Sequence, residues 1–435
     1  MKKFENLIFA LALSLAFLPA FTACDGDNEE EGDGEGEGEG KNDNAGDDDD
    51  DDVTTDDDDN DDVTTDDDDD NDDDNITTDD DDVTTDDDDD NDDNDDDDDS
   101  AGLESGGYAF ALTSDYVTGG FSAIKLDTRE VKGEFGGVHS DATAREYNGK
   151  IYVVNRLGSD KVEVRDPKEN FAVKGTIPTG DNTNPQDICF ASDEKAYIPL
   201  YGDNNLAVVN PLTATIIAMV DLGGFADGDG IPEMTSCFFS DGKVYVSLQL
   251  LDENWTPTGN GLIAVVNSET DEATNVISLN LPNPVTAIKE SADGKFLLVG
   301  SAGAYGAKDG AVEVLEKSTD TVIGTLVTEE SLGGDVMDFA MSSGDVGFAL
   351  ISDENFATKL VKFTISSGDV EEVFATAGFD IGGIALNSLG EIYVSDRTAG
   401  SEGIRIFSAD TGAELTANPI TLALPPMQIT FFDVK

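Results

Sequence analysis

Apolar and polar positions divide this chain into three stretches. An apolar run from Leu7 to Phe21 comes first, and a stretch reaching Ser100 follows that holds almost no apolar residue. From Gly107 onward, short β-branched and aromatic runs recur, each bounded by Gly, Asn, Asp or Pro, which is the pattern of strands and turns. One unit reads Asn184–Phe190, Lys195–Tyr201, Asn205–Asn210 and Thr215–Val220. Four such strands make one antiparallel blade, and a period of roughly 46 residues belongs to propellers.

The second strand of the unit returns as Lys150–Val154, Lys243–Val246, Lys295–Val299, Gly347–Leu350 and Glu391–Val394, giving six blades. A seventh is split between the chain ends. Gln428–Phe432 reads as an innermost strand with nothing after it, and its partners are Tyr108–Leu112, Phe121–Leu126 and Glu130–Phe135. Pairing the two ends closes the ring and removes an exposed sheet edge. The expectation is an all-β, seven-bladed propeller over 107–435. The insertion around Trp255 and the Gly-rich stretch Gly300 to Gly310 leave counts of six or eight open.

Charge separates the remaining parts. Residues 25–100 carry 46 acidic residues and a single base, Lys41; from Ala101 onward 49 acidic residues face 21 basic ones, a surplus of 28. Such a field repels nucleic acid and attracts divalent cations and basic partners. Stretch 24–106, with its Asp blocks closed by Val53-Thr54-Thr55 and its later copies, cannot bury enough surface to offset the entropy of ordering, and its charges stretch it. It is expected to be a disordered spacer, of which residues 25–100 reach at most about 250 Å and realistically on the order of 100 Å. It lacks the spaced ligands of a calcium loop.

The N-terminus has Lys2 and Lys3, the apolar run, then Thr22-Ala23-Cys24, which is the layout of an export signal over 1–23. The run is short for a membrane span. Small residues before a lone Cys resemble the lipobox of bacterial lipoproteins, and the resemblance implies that Cys24 is acylated and anchors the chain to a membrane. The acidic run Asp25 to Glu31 resembles the surface-export signal of Bacteroidota, which implies the outer face of the outer membrane; retention on the periplasmic side is the alternative.

Within the repeat, Tyr152-Val153-Val154-Asn155, Tyr393-Val394-Ser395-Asp396 and the run Leu206 to Val220 resemble the YVTN-repeat propellers, grouped with quinoprotein amine dehydrogenase-like and lactonase-like domains. These motifs are strand and turn patterns, so the resemblance implies architecture far more than activity.

Loops entering the first strand of a blade and loops joining its second and third strands share one face of a propeller, around the channel. They carry Asp187, Asp335, Asp338 and Asp380 from the first set, and Arg156, Trp255 and Arg397 from the second. The sharpest local signal is Asp227-Gly228-Asp229-Gly230-Ile231-Pro232-Glu233, where Asp227, Asp229 and Glu233 are spaced as Ca²⁺ ligands often are. The competing explanation is that Asp and Asn occupy turns. Cys189 and Cys237 hold equivalent places in neighbouring blades, so their side chains are expected to point the same way and to be two buried thiols rather than a disulfide. Catalytic equipment is thin: His139 is the only histidine, and no Gly-x-Ser-x-Gly elbow occurs.

The first functional reading is therefore a monomeric envelope lipoprotein whose propeller recognises a protein, peptide or glycan without catalysis. The second is a Ca²⁺-dependent, lactonase-like hydrolase with the ion held in the channel by residues such as Asp187, Asp229, Asp335 and Asp380. A purely structural envelope role is the third.

Overall fold

Runs such as Lys150–Asn155, Lys195–Pro199, Lys243–Leu248 and Glu391–Asp396 are apolar almost throughout, and each is buried past its first residue. A strand buried on both faces must lie between two layers. The computed structural model, which describes residues 102–435, arranges these strands as the second members of successive blades. The blades are numbered here along the chain.

Blade 1 contains β1 (Gly106–Ser114), β2 (Gly119–Lys125) and β3 (Val131–Val138). Blade 2 contains β4 (Ala142–Tyr147), β5 (Lys150–Asn155), β6 (Lys161–Asp166) and β7 (Ala172–Pro178), and blade 3 β8 (Cys189–Ser192), β9 (Lys195–Pro199), β10 (Asn205–Asn210) and β11 (Thr215–Asp221). Blade 4 is β12 (Met234–Ser240), β13 (Lys243–Leu248), β14 (Leu262–Asn267) and β15 (Glu272–Ser278). Blade 5 is β16 (Lys289–Glu290), β17 (Phe296–Ser301), β18 (Ala311–Glu316) and β19 (Thr321–Thr328), followed by the one-turn helix α1 (Glu329–Leu332). Blade 6 is β20 (Asp335–Met341), β21 (Val346–Ser352), β22 (Thr358–Thr364) and β23 (Asp369–Ala375). Blade 7 is β24 (Ile381–Leu386), β25 (Glu391–Asp396) and β26 (Gly403–Ser408), its outer edge completed only by single bridges from Glu414 and Ile420.

The last strand, β27 (Pro426–Val434), pairs antiparallel with β1, so one blade is built from both chain ends and the count is seven. Burial falls outward through each blade. Outermost strands such as Thr215–Asp221 alternate exposed and half-buried positions, because only one face is covered.

Two blade junctions carry the same latch. Lys195 and Tyr197 both bond Asp271 of the next blade, at 2.8 and 2.6 Å, and Lys243 and Tyr245 both bond Asp320, at 2.7 and 3.1 Å. Burial and the neighbouring carboxylate push both tyrosine hydroxyls well above their usual range. Where blade 7 meets blade 1 the signs are exchanged: Glu391 accepts from Arg129 at 3.1 Å. Asp271, Asp320 and Arg129 all stand in the left-handed region at the tight turn before an outermost strand, so one backbone position supplies all three.

The cysteine expectation is corrected. Cys189 and Cys237 form a disulfide with Cα atoms 5.8 Å apart. The cause is a bulge. In β8 the register shifts between Phe190 and Ser192, so Cys189 stands opposite Tyr197; without that shift Cys237 stands opposite Val246, one residue past the equivalent Tyr245. One step of register turns a side chain to the other face of the sheet, so the two thiols face each other across the blade junction.

The expected signal over 1–23, Cys24, and nearly all of the expected spacer over 24–106 lie outside the described residues.

Candidate functional site

Antiparallel order within each blade places the loops between second and third strands, together with the connections into each first strand, on one face around the channel. Two of these loops are built alike, and a third also folds its backbone amides onto an Asp carboxylate. In Asp353-Glu354-Asn355-Phe356-Ala357 the Asp353 carboxylate accepts the Asn355 and Ala357 amides at 2.9 and 3.1 Å, while the Phe356 amide donates to the Asp353 carbonyl at 2.8 Å. Asp252-Glu253-Asn254-Trp255-Thr256 repeats this bond for bond, with Asp252 accepting Asn254 and Thr256 at 2.8 and 3.0 Å. In blade 1, Asp115 accepts Val117 and Thr118 at 2.9 and 2.6 Å around Tyr116. The Thr118 and Val117 amides hold the Asp115 carboxyl below its ordinary range. For Asp353 burial pushes upward, and the Asn355 and Ala357 amides with Lys359 outweigh it.

Each cage holds an aromatic residue at positive φ: Tyr116 at 69°, Trp255 at 63° and Phe356 at 60°. Bulky side chains rarely adopt that region, and strain held by surrounding bonds gathers at binding surfaces. Phe356 is 61% exposed and Tyr116 39%. The pattern Asp-Glu-Asn-aromatic, present in blades 4 and 6, was the signal in the sequence that a reading of these loops as ordinary turns passes over.

At the mouth of the channel, Trp255 stacks on Tyr201 with ring centroids 6.1 Å apart. From there the Tyr201 hydroxyl donates to Gln249 at 2.9 Å, Gln249 to Asn283 at 2.8 Å, and Asn283 to the Gly303 carbonyl at 3.1 Å. This chain ends under the loop 302–310, which carries Tyr305, 57% exposed. Gly303 is required there: its φ is +59°, and a Cβ would lie 2.0 Å from an Asp309 oxygen. Across the face, the Arg397 guanidinium lies 4.5 Å over the Tyr116 ring, fixed by the Pro425 and Pro426 carbonyls at 3.2 and 3.1 Å.

The acidic positions picked out along the chain have these places. Asp187 is buried and takes Arg145 of blade 2 through both oxygens, at 2.7 and 3.0 Å, along with the Ile188 and Cys237 amides. Asp338 pairs with Lys289 at 2.6 Å. Asp380 accepts the Gly378 amide on its carboxylate and the Arg397 backbone amide on its carbonyl. Asp335 accepts the Gly306 amide at 2.6 Å. Arg156 pairs with Asp141 and reaches Gln186 at 2.8 Å. Asp227 accepts Asp229's amide and the Thr258 hydroxyl, Asp229 accepts the Ile231 amide at 2.9 Å, and buried Glu233 accepts the Leu251 amide at 3.0 Å. Among the described residues no three His, Cys, Asp or Glu side chains form a group able to hold a metal ion. Asp187, just before β8, and Asp338, in β20, each face a cation from a neighbouring blade. His139, tied by the Asp141 amide donating to Nδ1 at 3.1 Å, is a loop brace.

Glu329, fully buried at the start of α1, sits under the same loop. Its oxygens accept Val336 and Gly310, each at 2.7 Å. Burial pushes its carboxyl up to about 7, and the charges of Asp335 and Asp309 add to this against the two amides. Because the folded-state value lies above the unfolded one, the folded state holds the extra proton between roughly pH 4.5 and 7. The group's contribution is fully present below 4.5 and is lost as pH rises through 7. Asp335 and Glu313 shift in the same direction, chiefly by burial. Stability is expected to fall by about 2 kcal/mol between pH 5.5 and 8 through Glu329 alone. Melting scans across that range check this, and Glu329→Gln should flatten the slope.

No family model matches the sequence, and neither does any curated protein. Solved structures do match. Against a protein provisionally described as a 6-phosphogluconolactonase from Bacteroides fragilis, identity is 12% over 76% of this chain and 99% of that one, with a TM-score of 0.55. A Bacteroides uniformis protein of the same provisional description gives 12%, 75%, 100% and 0.54. A protein of unknown function from Desulfotomaculum acetoxidans gives 13%, 75%, 99% and 0.50. At such identities the likeness shows the fold alone.

Proposed function

We propose that this chain is a recognition module without chemistry of its own, exported and lipid-anchored through Cys24, with the acidic stretch 24–106 holding the propeller away from the outer membrane at the cell surface. It acts as a monomer on a protein, peptide or glycan. The observation that carries this reading is the set of aromatic side chains held at strained loop tips on one face, at Tyr116, Trp255 and Phe356. Strain of this kind costs on the order of 1–3 kcal/mol per residue and persists where the surroundings over-determine it. The Cys189–Cys237 disulfide supports export, because such bonds persist in oxidising compartments. The geometry does not favour the calcium-dependent hydrolase, since Asp187, one of its expected ligands, is held through both oxygens by Arg145, and Asp229 and Asp380 are spent on backbone amides of their own loops.

Peptide and glycan arrays probed with the full chain and with a Tyr116→Asn, Trp255→Asn, Phe356→Asn triple variant test this. Asn adopts the left-handed region more readily than an aromatic residue. The variant should therefore melt no lower than the parent while losing at least ten-fold in array binding. Array ligands held equally well by the variant, or no array ligand at all, would refute the reading.

A further inference from the structure

We infer that the partner of this face is a basic polypeptide segment, whose Lys or Arg side chains lie over the Trp255 and Phe356 rings between the flanking Glu253 and Glu354 carboxylates. The inference rests on the recognition reading above and names its ligand class.

Three observations carry it. The first is charge. The chain from Ala101 onward has a surplus of 28 negative charges, and each of the two repeated loops puts two acids beside its aromatic residue, Asp252 and Glu253 in one and Asp353 and Glu354 in the other. Glu253 and Glu354 are exposed. Of the cations on this face, Arg156 is engaged by Asp141, Arg397 by the Pro425 and Pro426 carbonyls, Lys359 by Asp353 and Glu372, and Lys308 stands beside Asp335, which leaves Glu253 and Glu354 as the exposed acids of the two loops. A basic chain therefore finds complementary potential here, and a ring face flanked by carboxylates is a favourable seat for a cation.

The second is that the protein already makes this contact with itself. The guanidinium of Arg397 sits 4.5 Å over the ring of Tyr116, at a loop tip whose acid, Asp115, accepts the Val117 and Thr118 amides. Phe356, 61% exposed at the tip of its own loop, offers a ring face to a cation from outside.

The third favours a peptide over a sugar. A neutral glycan is read by side-chain amides that donate and accept around its hydroxyls. At the channel mouth Gln249 accepts from Tyr201 and donates to Asn283, and Asn283 donates to Gly303. The exposed amides left on the two loop tips, Asn254 and Asn355, each follow two acids, whose field a neutral sugar does not use and a basic chain does.

Trp255 is the only tryptophan, so its emission reports on the face directly. The full chain is titrated with a decapeptide of alternating Arg and Gly, with its Glu–Gly counterpart, and with cellohexaose, at 50 and 300 mM NaCl. The expected result is a saturable change with the Arg–Gly peptide alone, weakened at least five-fold by the higher salt. Phe356→Leu, which keeps apolar area and loses the ring, and Glu253→Gln with Glu354→Gln should each weaken it at least three-fold. Binding of the Arg–Gly peptide that Phe356→Leu leaves unchanged would be general attraction to an acidic protein and overturns the inference. A saturable response to cellohexaose with none to the Arg–Gly peptide overturns the basic partner and leaves the recognition surface standing. Silence with every probe, together with array ligands indifferent to the Asn triple variant, overturns both.

Discussion

A chain ending at Pro425 is expected to be recovered unfolded or insoluble, although it keeps six blades and most of a seventh. The missing strand β27 pairs with β1 from Gly106 through Thr113 and buries Ile429, Phe432 and Val434. Its Gln428 also accepts the Thr143 hydroxyl and the Ala144 amide of blade 2, at 2.7 and 2.8 Å, so the strand seals a junction as well as a sheet. Without it, β1 presents an open, apolar edge to other chains. A single side chain sets the scale. Phe432 packs against Tyr108 and Phe171, with ring centroids 5.4 and 5.8 Å away, and is almost wholly buried. Phe432→Ala should cost about 4 kcal/mol, read as a lower denaturant midpoint with an unchanged slope. A circular permutant in which residues 426–435 precede Leu103 through a short linker should regain the native circular dichroism, because it restores the same pairing from the other end. If the truncated chain folds as well as the parent, the ring is not held by this closure.

Reduction of the Cys189–Cys237 bond, or Cys189→Ser with Cys237→Ser, is expected to lower stability by about 4 kcal/mol. The bond closes a loop with a sequence separation of 48, and the entropy removed from the unfolded chain scales with the logarithm of that length. For a domain of this size the change corresponds to a melting temperature lower by roughly 6 °C. Melting scans with and without a thiol reductant measure it. An unchanged melt would mean that the apolar contacts around blades 3 and 4 already supply the constraint.

These two cases also show what could be read from residues alone. Closure was legible: Gln428 to Phe432 is a strand with no partner after it, and the N-terminal strands lack an innermost member, so pairing the ends follows. Blade number was legible because second strands such as Lys243–Leu248 are apolar on both faces. The disulfide was not, since a bulge at Ala191 changes which face Cys189 takes, and nothing in that short segment announces it. Nor were the cations that neutralise Asp187 and Asp338. Arg145 and Lys289 come from neighbouring blades, and their approach depends on how the blades pack rather than on local spacing. The aromatic tips lay between these cases. Asp252 to Trp255 and Asp353 to Phe356 spell the same motif, yet a loop read for its carboxylates as ligands hides their function as cages for the ring that follows.

Hydrogen–deuterium exchange on the full chain, alone and saturated with the Arg–Gly decapeptide, tests the central claim most directly. The claim is that caged aromatic tips on one face of the propeller form its recognition surface. The account predicts slowed exchange confined to residues 115–118, 252–258, 302–310 and 353–357, with the outer strands 215–221 and 272–278 unchanged. Protection centred on those outer strands, or spread evenly over the acidic surface, would contradict it.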